Sequence, residues 1–144
     1  MIPTSWPYSQ QTYEAFAAIT RAGFTHYCCG DRRAPYVLVA AYNWGGYIDV
    51  INIRGADRTT AARLPTYDSL DIFAPVQAVW HCLGTLEPTV AAILRLPPPH
   101  HPHAPTAPYP APLTLFVASH EQRPMTIKPG KRTIPSSSGT RRWC

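Results

Sequence analysis

From Pro35 to Pro65 the chain reads PYVLVAAYNW, then GG, then YIDVINIRGADRTTAARLP. Two runs rich in Val, Ile, Tyr and Trp flank Gly45-Gly46, a pair that tolerates the positive φ angles of a tight two-residue hairpin turn. Pairing outward from that turn sets Trp44 opposite Tyr47, Tyr42 opposite Asp49, Ala40 opposite Ile51 and Leu38 opposite Ile53. The other face then carries Val37, Val39, Ala41 and Asn43 against Arg54, Asn52, Val50 and Ile48. Residues 36 to 42 are apolar on both faces, as expected of a central strand covered from each side. A slip of one residue exchanges the two sets, so register carries the pattern.

On either side of this hairpin the periodicity changes. Tyr13, Phe16, Ala17 and Thr20 recur at helical spacing, which predicts a helix over 10–22 with Ser9 as N-cap and Gly23 as the residue after its end. A short strand over 24–29 follows. After the hairpin, Gly55-Ala56-Asp57 reads as another tight turn and 58–64 as a third antiparallel strand, its weaker pattern suiting a place near the sheet edge. Residues 76–83 read as a further strand. Thr85, Glu87 and Pro88 open a second helix that must end at Leu96, before three prolines. Eight of the sixteen residues over 97–112 are proline, which suggests an extended polyproline-like linker. Leu113 to Val117 can form a late strand docking on the sheet. The expectation is an α+β fold: one small domain, an antiparallel sheet of four or five strands, and two helices on one face. Its parts are a domain over 1–96, a Pro-rich segment over 97–128 that can pack back on it, and a disordered basic tail over 129–144.

Charge sharpens this division. The formal net charge is +5, yet residues 1–120 hold seven Arg against seven Asp and Glu. The surplus therefore lies entirely beyond residue 120, in the tail, which argues against a basic nucleic-acid surface on the folded body. The start, Met1-Ile-Pro-Thr-Ser-Trp, lacks a charged segment followed by an apolar one, so no signal peptide is expected. No run approaches the roughly 20 apolar residues of a membrane span. With four irregularly placed cysteines, a cytoplasmic protein is the expectation.

The runs AGFTHYCCG, TAARLP, FAP, HPHAPTAPYPAP and EQRPMTI, with the hairpin core APY-LVA-Y-W-GG-ID-I-IR, resemble a group of short uncharacterised actinobacterial proteins of unknown function. The resemblance covers roughly residues 10 to 128. It implies that the proline segment and EQRPMTI are ordered against the domain, and it implies no activity.

Four constellations have chemical potential. His26, Cys28, His81 and Cys82, with Cys29, offer zinc-type ligands if strands 24–29 and 76–83 are neighbours. His26 and Cys28 share one strand face, whereas His81 and Cys82 point to opposite faces, so no metal site is expected from them and no cofactor is assigned. Cys28 or Cys29 with His26 or His81 as base would be a thiol-enzyme arrangement, without any supporting local motif. His100, His101 and His103 punctuate the proline segment and suit a solvent-facing spacer. Finally, Tyr36, Tyr42, Trp44 and Tyr47 fall on one hairpin face, with Asp49 among them. Such a strip packs under a helix, stacks nucleic-acid bases, or grips a proline-rich peptide, for which the chain's own proline segment competes. Base stacking loses support because no basic residues are interleaved among the aromatics.

These residues favour a non-enzymatic interaction module that binds a protein partner or itself, with Tyr42, Trp44, Tyr47 and Asp49 as binding residues. The alternatives are an accessory nucleic-acid binder acting through the basic tail, and a small metal- or thiol-dependent enzyme.

Overall fold

A computed structural model of the chain describes residues 10–30, 35–66 and 70–129. Ser9, the expected N-cap, and the residues of the expected tail after Pro129 lie outside the described residues. The first helix, α1 (Gln10–Arg21), ends as its glycine suggests. Gly23 has φ 91°, its N–H donates to the Thr20 carbonyl, and the Phe24 N–H reaches back to the Ile19 carbonyl. This is the paired bonding of a Schellman stop, and Phe24 and Ile19 are both buried in the same core cluster.

Strands β1 (Thr25–Gly30), β2 (Pro35–Asn43), β3 (Tyr47–Gly55) and β4 (Arg58–Pro65) follow as an antiparallel run. Two short strands, β5 (Gln77–Ala78) and β6 (Trp80–Gly84), then lead into α2 (Leu86–Arg95). Beyond it lie β7 (Tyr109–Pro110), a single 3-10 turn over Leu113–Leu115, and β8 (Met125–Lys128). The main sheet has six strands in the order β6-β4-β3-β2-β1-β8, and β5 and β7 form a separate ladder. The molecule is α+β with an antiparallel sheet, and it has one main-sheet strand more than the four or five expected.

The hairpin register is the one that the hydrophobic alternation dictates: Tyr42 faces Asp49, Ala40 faces Ile51 and Leu38 faces Ile53. Of the two turn glycines, Gly45 takes the positive φ, at 105°. That is the first central position of a two-residue turn, where a type II′ geometry wants glycine. Asn43 Oδ1 accepts the Gly45 N–H at 2.7 Å, and Thr66 ties the tip down by donating its N–H to the Gly46 carbonyl and its hydroxyl to the Gly45 carbonyl.

Both sheet faces are covered, by different means. On one face Phe16 and Ile19 of α1 and Leu86, Val90 and Ile93 of α2 pack on Leu38, Ala40, Ile51, Ile53 and Ala61. The other face has no helix. Leu115 closes over Val50, Ala62 and Leu64, and Val117 packs on Cys29, Val37 and Val39. The chain that does this is the proline-rich stretch and its continuation, folded as a strap. Asn52 Nδ2 donates to the Leu115 carbonyl, the Val117 N–H donates to the Phe73 carbonyl, and the Ala111 N–H donates to the Val76 carbonyl. Arg54 Nη1 meets Glu121 Oε2 at 2.9 Å, while Arg54 Nη2 donates to the Phe116 carbonyl.

Several details depart from expectation, each for a physical reason. The strand β4 is interior, because β6 pairs along its far side, and its small residues Ala61 and Ala62 admit a covering layer on each face. The expected strand over 76–83 divides at Val79: β6 stays with β4, while β5 leaves the main sheet to pair with β7 on the strap. The expected strand over 113–117 is instead a 3-10 turn over Leu113–Leu115, with Leu115 inward and Leu113 outward. The strand β8 has no strong pattern of its own, since Met125 and Ile127 are exposed. Its place beside β1 comes from the ladder that pairs His26 with Lys128 and Cys29 with Met125.

Two measurements test these devices. A Cβ on Gly45 meets nothing within 4 Å, so a substitution there is purely a backbone effect. Gly45→Val should cost about 1–3 kcal/mol in urea unfolding, and Gly46→Ala distinctly less. The Glu121 carboxyl is held below its ordinary range, first by its hydrogen bonds from Arg54, against the opposing effect of burial. A carboxylate with a lowered folded pKa adds stability above its unfolded pKa and loses it as the pH falls through the folded value. Glu121→Gln should therefore lower stability at neutral pH and shrink the gap from wild type on acidification below about pH 4, read from denaturant midpoints across pH.

Candidate functional site

The site grows from one irregularity in the β3–β4 ladder. Near the turn Gly55 faces Arg58, but Ile53 faces Thr59, so Arg54 is an extra residue on β3. Such a bulge shifts the remaining register by one and decides which side chains of β4 turn to the helices. It places Arg63 opposite Asp49 and on the same face.

The two side chains are withdrawn from water, Arg63 with no exposed surface and Asp49 with 3%. Arg63 Nε donates to Asp49 Oδ1 at 2.6 Å and Arg63 Nη2 donates to Asp49 Oδ2 at 3.0 Å. This two-pronged contact matches the planar guanidinium to the planar carboxylate. Trp44 Nε1 donates to Asp49 Oδ2 at 3.0 Å, and Arg63 Nη1 donates to the Pro97 carbonyl at 2.6 Å. The Arg63 guanidinium carbon also lies 5.7 Å from the centre of the Trp44 ring, within cation–π range. Each charge is thus met by its opposite and by further hydrogen bonds, the condition under which burying charge is tolerable.

Above this pair opens a concavity of about 280 Å³ between the hairpin and the C-terminal end of α2. Its aromatic wall is a chain of contacts: Phe24 to Tyr42 at 5.7 Å between ring centres, and Tyr42 to Trp44 at 4.9 Å, nearly edge-on. Leu94, Leu96 and Pro98 form the opposing wall. Of the residues expected to bind, Tyr42, Trp44 and Asp49 line this groove together. Tyr47 does not line it; it is half-buried opposite Pro65 at the end of β4. Tyr36 is exposed and stacks beside Gly30 at the far end of β2.

Arg63, Pro97 and Pro98 belong to the site but escape the sequence pattern. Counting residues outward from the Gly55–Arg58 turn without a bulge would set Leu64 opposite Asp49 and put Arg63 on the strap face. The lone carboxylate within an apolar strand was the one available signal, since a buried Asp demands a cation.

The histidines and cysteines do not converge. Three strands separate β1 from β6, which at roughly 4.8 Å per step places them about 19 Å apart. Residues 24–29 and 76–83 are therefore not neighbours, because β1 is taken by β2 and β8 while β6 is taken by β4. His26 is buried under the helices beside the Thr20 hydroxyl, and Cys28 is disulfide-bonded. His81 lies on the strap face, its Nδ1 2.6 Å from the Tyr109 hydroxyl. Burial pushes the Cys29 thiol up to about 11, with Glu121 adding to the rise, and burial also raises Cys82. A thiol shifted in that direction is a poor nucleophile at neutral pH. On the strap His101 and His103 sit side by side, and His101 Nδ1 already accepts the His103 N–H. Among the described residues no group of three or more His, Cys, Asp or Glu is arranged to hold a metal ion, and no helix is long and apolar enough to cross a membrane.

Comparison with family models, curated proteins and solved structures finds no match for the chain.

The ion pair predicts a characteristic mutational pattern. Arg63→Met leaves the Asp49 carboxylate buried without its cation and should cost about 3–5 kcal/mol. The double replacement Asp49→Leu with Arg63→Met removes both charges and should recover most of that loss. A double-mutant cycle by urea unfolding reads the coupling directly.

Proposed function

We propose that the chain is an interaction module whose aromatic groove takes an extended, proline-bearing segment of a partner protein. One observation carries this reading: the charged groups of the groove's floor are already engaged with one another while its walls remain apolar and open. Both Asp49 oxygens accept from Arg63 or Trp44, and Arg63 is spent on Asp49 and the Pro97 carbonyl. Three donors and a paired guanidinium already engage that carboxylate, so the arrangement suits binding better than acid–base chemistry. What it presents outward is the ring surface of Tyr42 and Trp44, a wall of the kind that docks the rigid ridges of a polyproline helix.

The chain's own sequence supports the choice of ligand. Pro98 lies in the same groove, and the carbonyl of Pro97 is held by Arg63. The site thus already includes the first prolines of the strap, Pro98 as part of its lining and Pro97 through one backbone hydrogen bond. A partner segment would extend that mode into the remaining space. Proline-rich segments are pre-extended, so little conformational entropy is lost when one docks.

The test is a titration of nitrogen-15-labelled full chain with a decaproline peptide, following the indole N–H of Trp44. We expect a saturable shift there, absent with a Gly-Ser peptide of equal length. Trp44→Phe keeps the ring but loses the bond to Asp49, whereas Trp44→Ala also loses the wall. The alanine variant should weaken binding at least tenfold, about 1.4 kcal/mol or more. Absence of saturation, or equal affinity in the alanine variant, refutes the reading.

A further inference from the structure

The strap face carries a second concavity, of about 460 Å³, at the end of the sheet remote from the hairpin tip. It lies between the β3–β4 turn, the last residues of β6 and the 3-10 turn of the strap. We propose that this is a binding site for a small organic acid with an apolar body and a hydroxyl or amino donor.

Three features of its lining define the ligand. Asn52 lies at the floor and is 3% exposed. Its Nδ2 is spent on the Leu115 carbonyl, and among the described residues its Oδ1 meets no donor. A buried carbonyl oxygen in that condition is costly, and an N–H or O–H brought by a ligand relieves it. Beside it Thr60 and Thr114 bond hydroxyl to hydroxyl at 2.9 Å. One proton serves that bond, which leaves the second hydroxyl proton to turn toward an acceptor in the cavity.

The rim supplies charge. Arg54 is committed to Glu121, but among the described residues no carboxylate lies within ion-pair reach of Arg58, which is exposed and lines the same opening. A guanidinium so placed selects a planar anion. Asp57 shares the rim, so a doubly charged phosphate meets about twice the repulsion that a single carboxylate does. Between rim and floor the wall is Leu83 and the carbon faces of the threonines, which suits an apolar body. The site is independent of the aromatic groove, which lies on the other side of the sheet.

Three matched probes separate the contributions: 3-phenyllactate, which has all three features; 3-phenylpropionate, which lacks the hydroxyl; and 3-phenylpropane-1,2-diol, which lacks the carboxylate. Each is titrated into the labelled full chain, with the Thr60 and Leu83 signals followed by NMR. We expect saturable shifts with phenyllactate and about tenfold weaker binding when either polar group is missing. Arg58→Gln, at an exposed position, should leave the fold intact and abolish the preference for phenyllactate over the diol. Asn52→Leu should abolish the preference over phenylpropionate. No saturable shift with phenyllactate, equal binding of the diol, or an unchanged preference in the Arg58→Gln protein would overturn the assignment.

Discussion

A carboxylate and a guanidinium with almost no access to water can persist only if each meets the other in a fixed geometry. Asp49 and Arg63 impose that condition on everything around them. Their contact requires β3 and β4 to be in one register, the hairpin to place Trp44 over the carboxylate, and the chain after α2 to bring the Pro97 carbonyl to the remaining guanidinium nitrogen. The apolar core under the helices would tolerate small adjustments of volume. The pair would not tolerate a one-residue slip, which would strand both charges. What the pair contributes beyond its own energy is selection among alternative packings, and the aromatic groove is a by-product of that selection.

The sequence resolved the parts of the fold that depend on local alternation. The two strands around Gly45-Gly46 are apolar enough, and long enough, to specify their pairing residue by residue, and the helix ending at Gly23 follows from one turn of bonding. What stayed hidden depends on a residue whose effect is geometric. Arg54 looks like one more alternating position, yet as a bulge it reverses the orientation of the whole of β4. Without the bulge Arg63 falls on the face away from Asp49, and Asp49 looks like an isolated polar residue. The strand β8 was hidden for another reason: its two outward residues, Met125 and Ile127, have a half-covered edge as their environment, so their pattern carries little information about pairing.

The proline-rich stretch illustrates how a composition can mislead about role. Proline lacks an N–H and cannot contribute to a central ladder, so composition alone points to a linker, with packing back onto the domain left open. Here it covers. The strap uses few backbone bonds to the sheet, relying on Leu115 and Val117 as plugs and on Asn52 and Arg54 to hold two of its carbonyls. The prolines between these points cost little to order, because their backbone is restricted before folding begins. Exposed side chains such as Leu113 remain on its outer surface.

The order of the sheet also has a kinetic meaning. Strands β2, β3 and β4 are joined by two tight turns, so their contacts close over short loops. The outermost pairing, β1 with β8, joins residues about a hundred positions apart, and the entropy of closing so long a loop must be met before any of its bonds form. The meander can assemble early, whereas β8 can add only after the strap has crossed the sheet and the Arg54–Glu121 contact has set its exit. Opening runs in the reverse order. The edge carrying Met125 and Ile127 is then the first part of the sheet to come away, exposing the backbone of β1 while the ion pair and its groove remain closed.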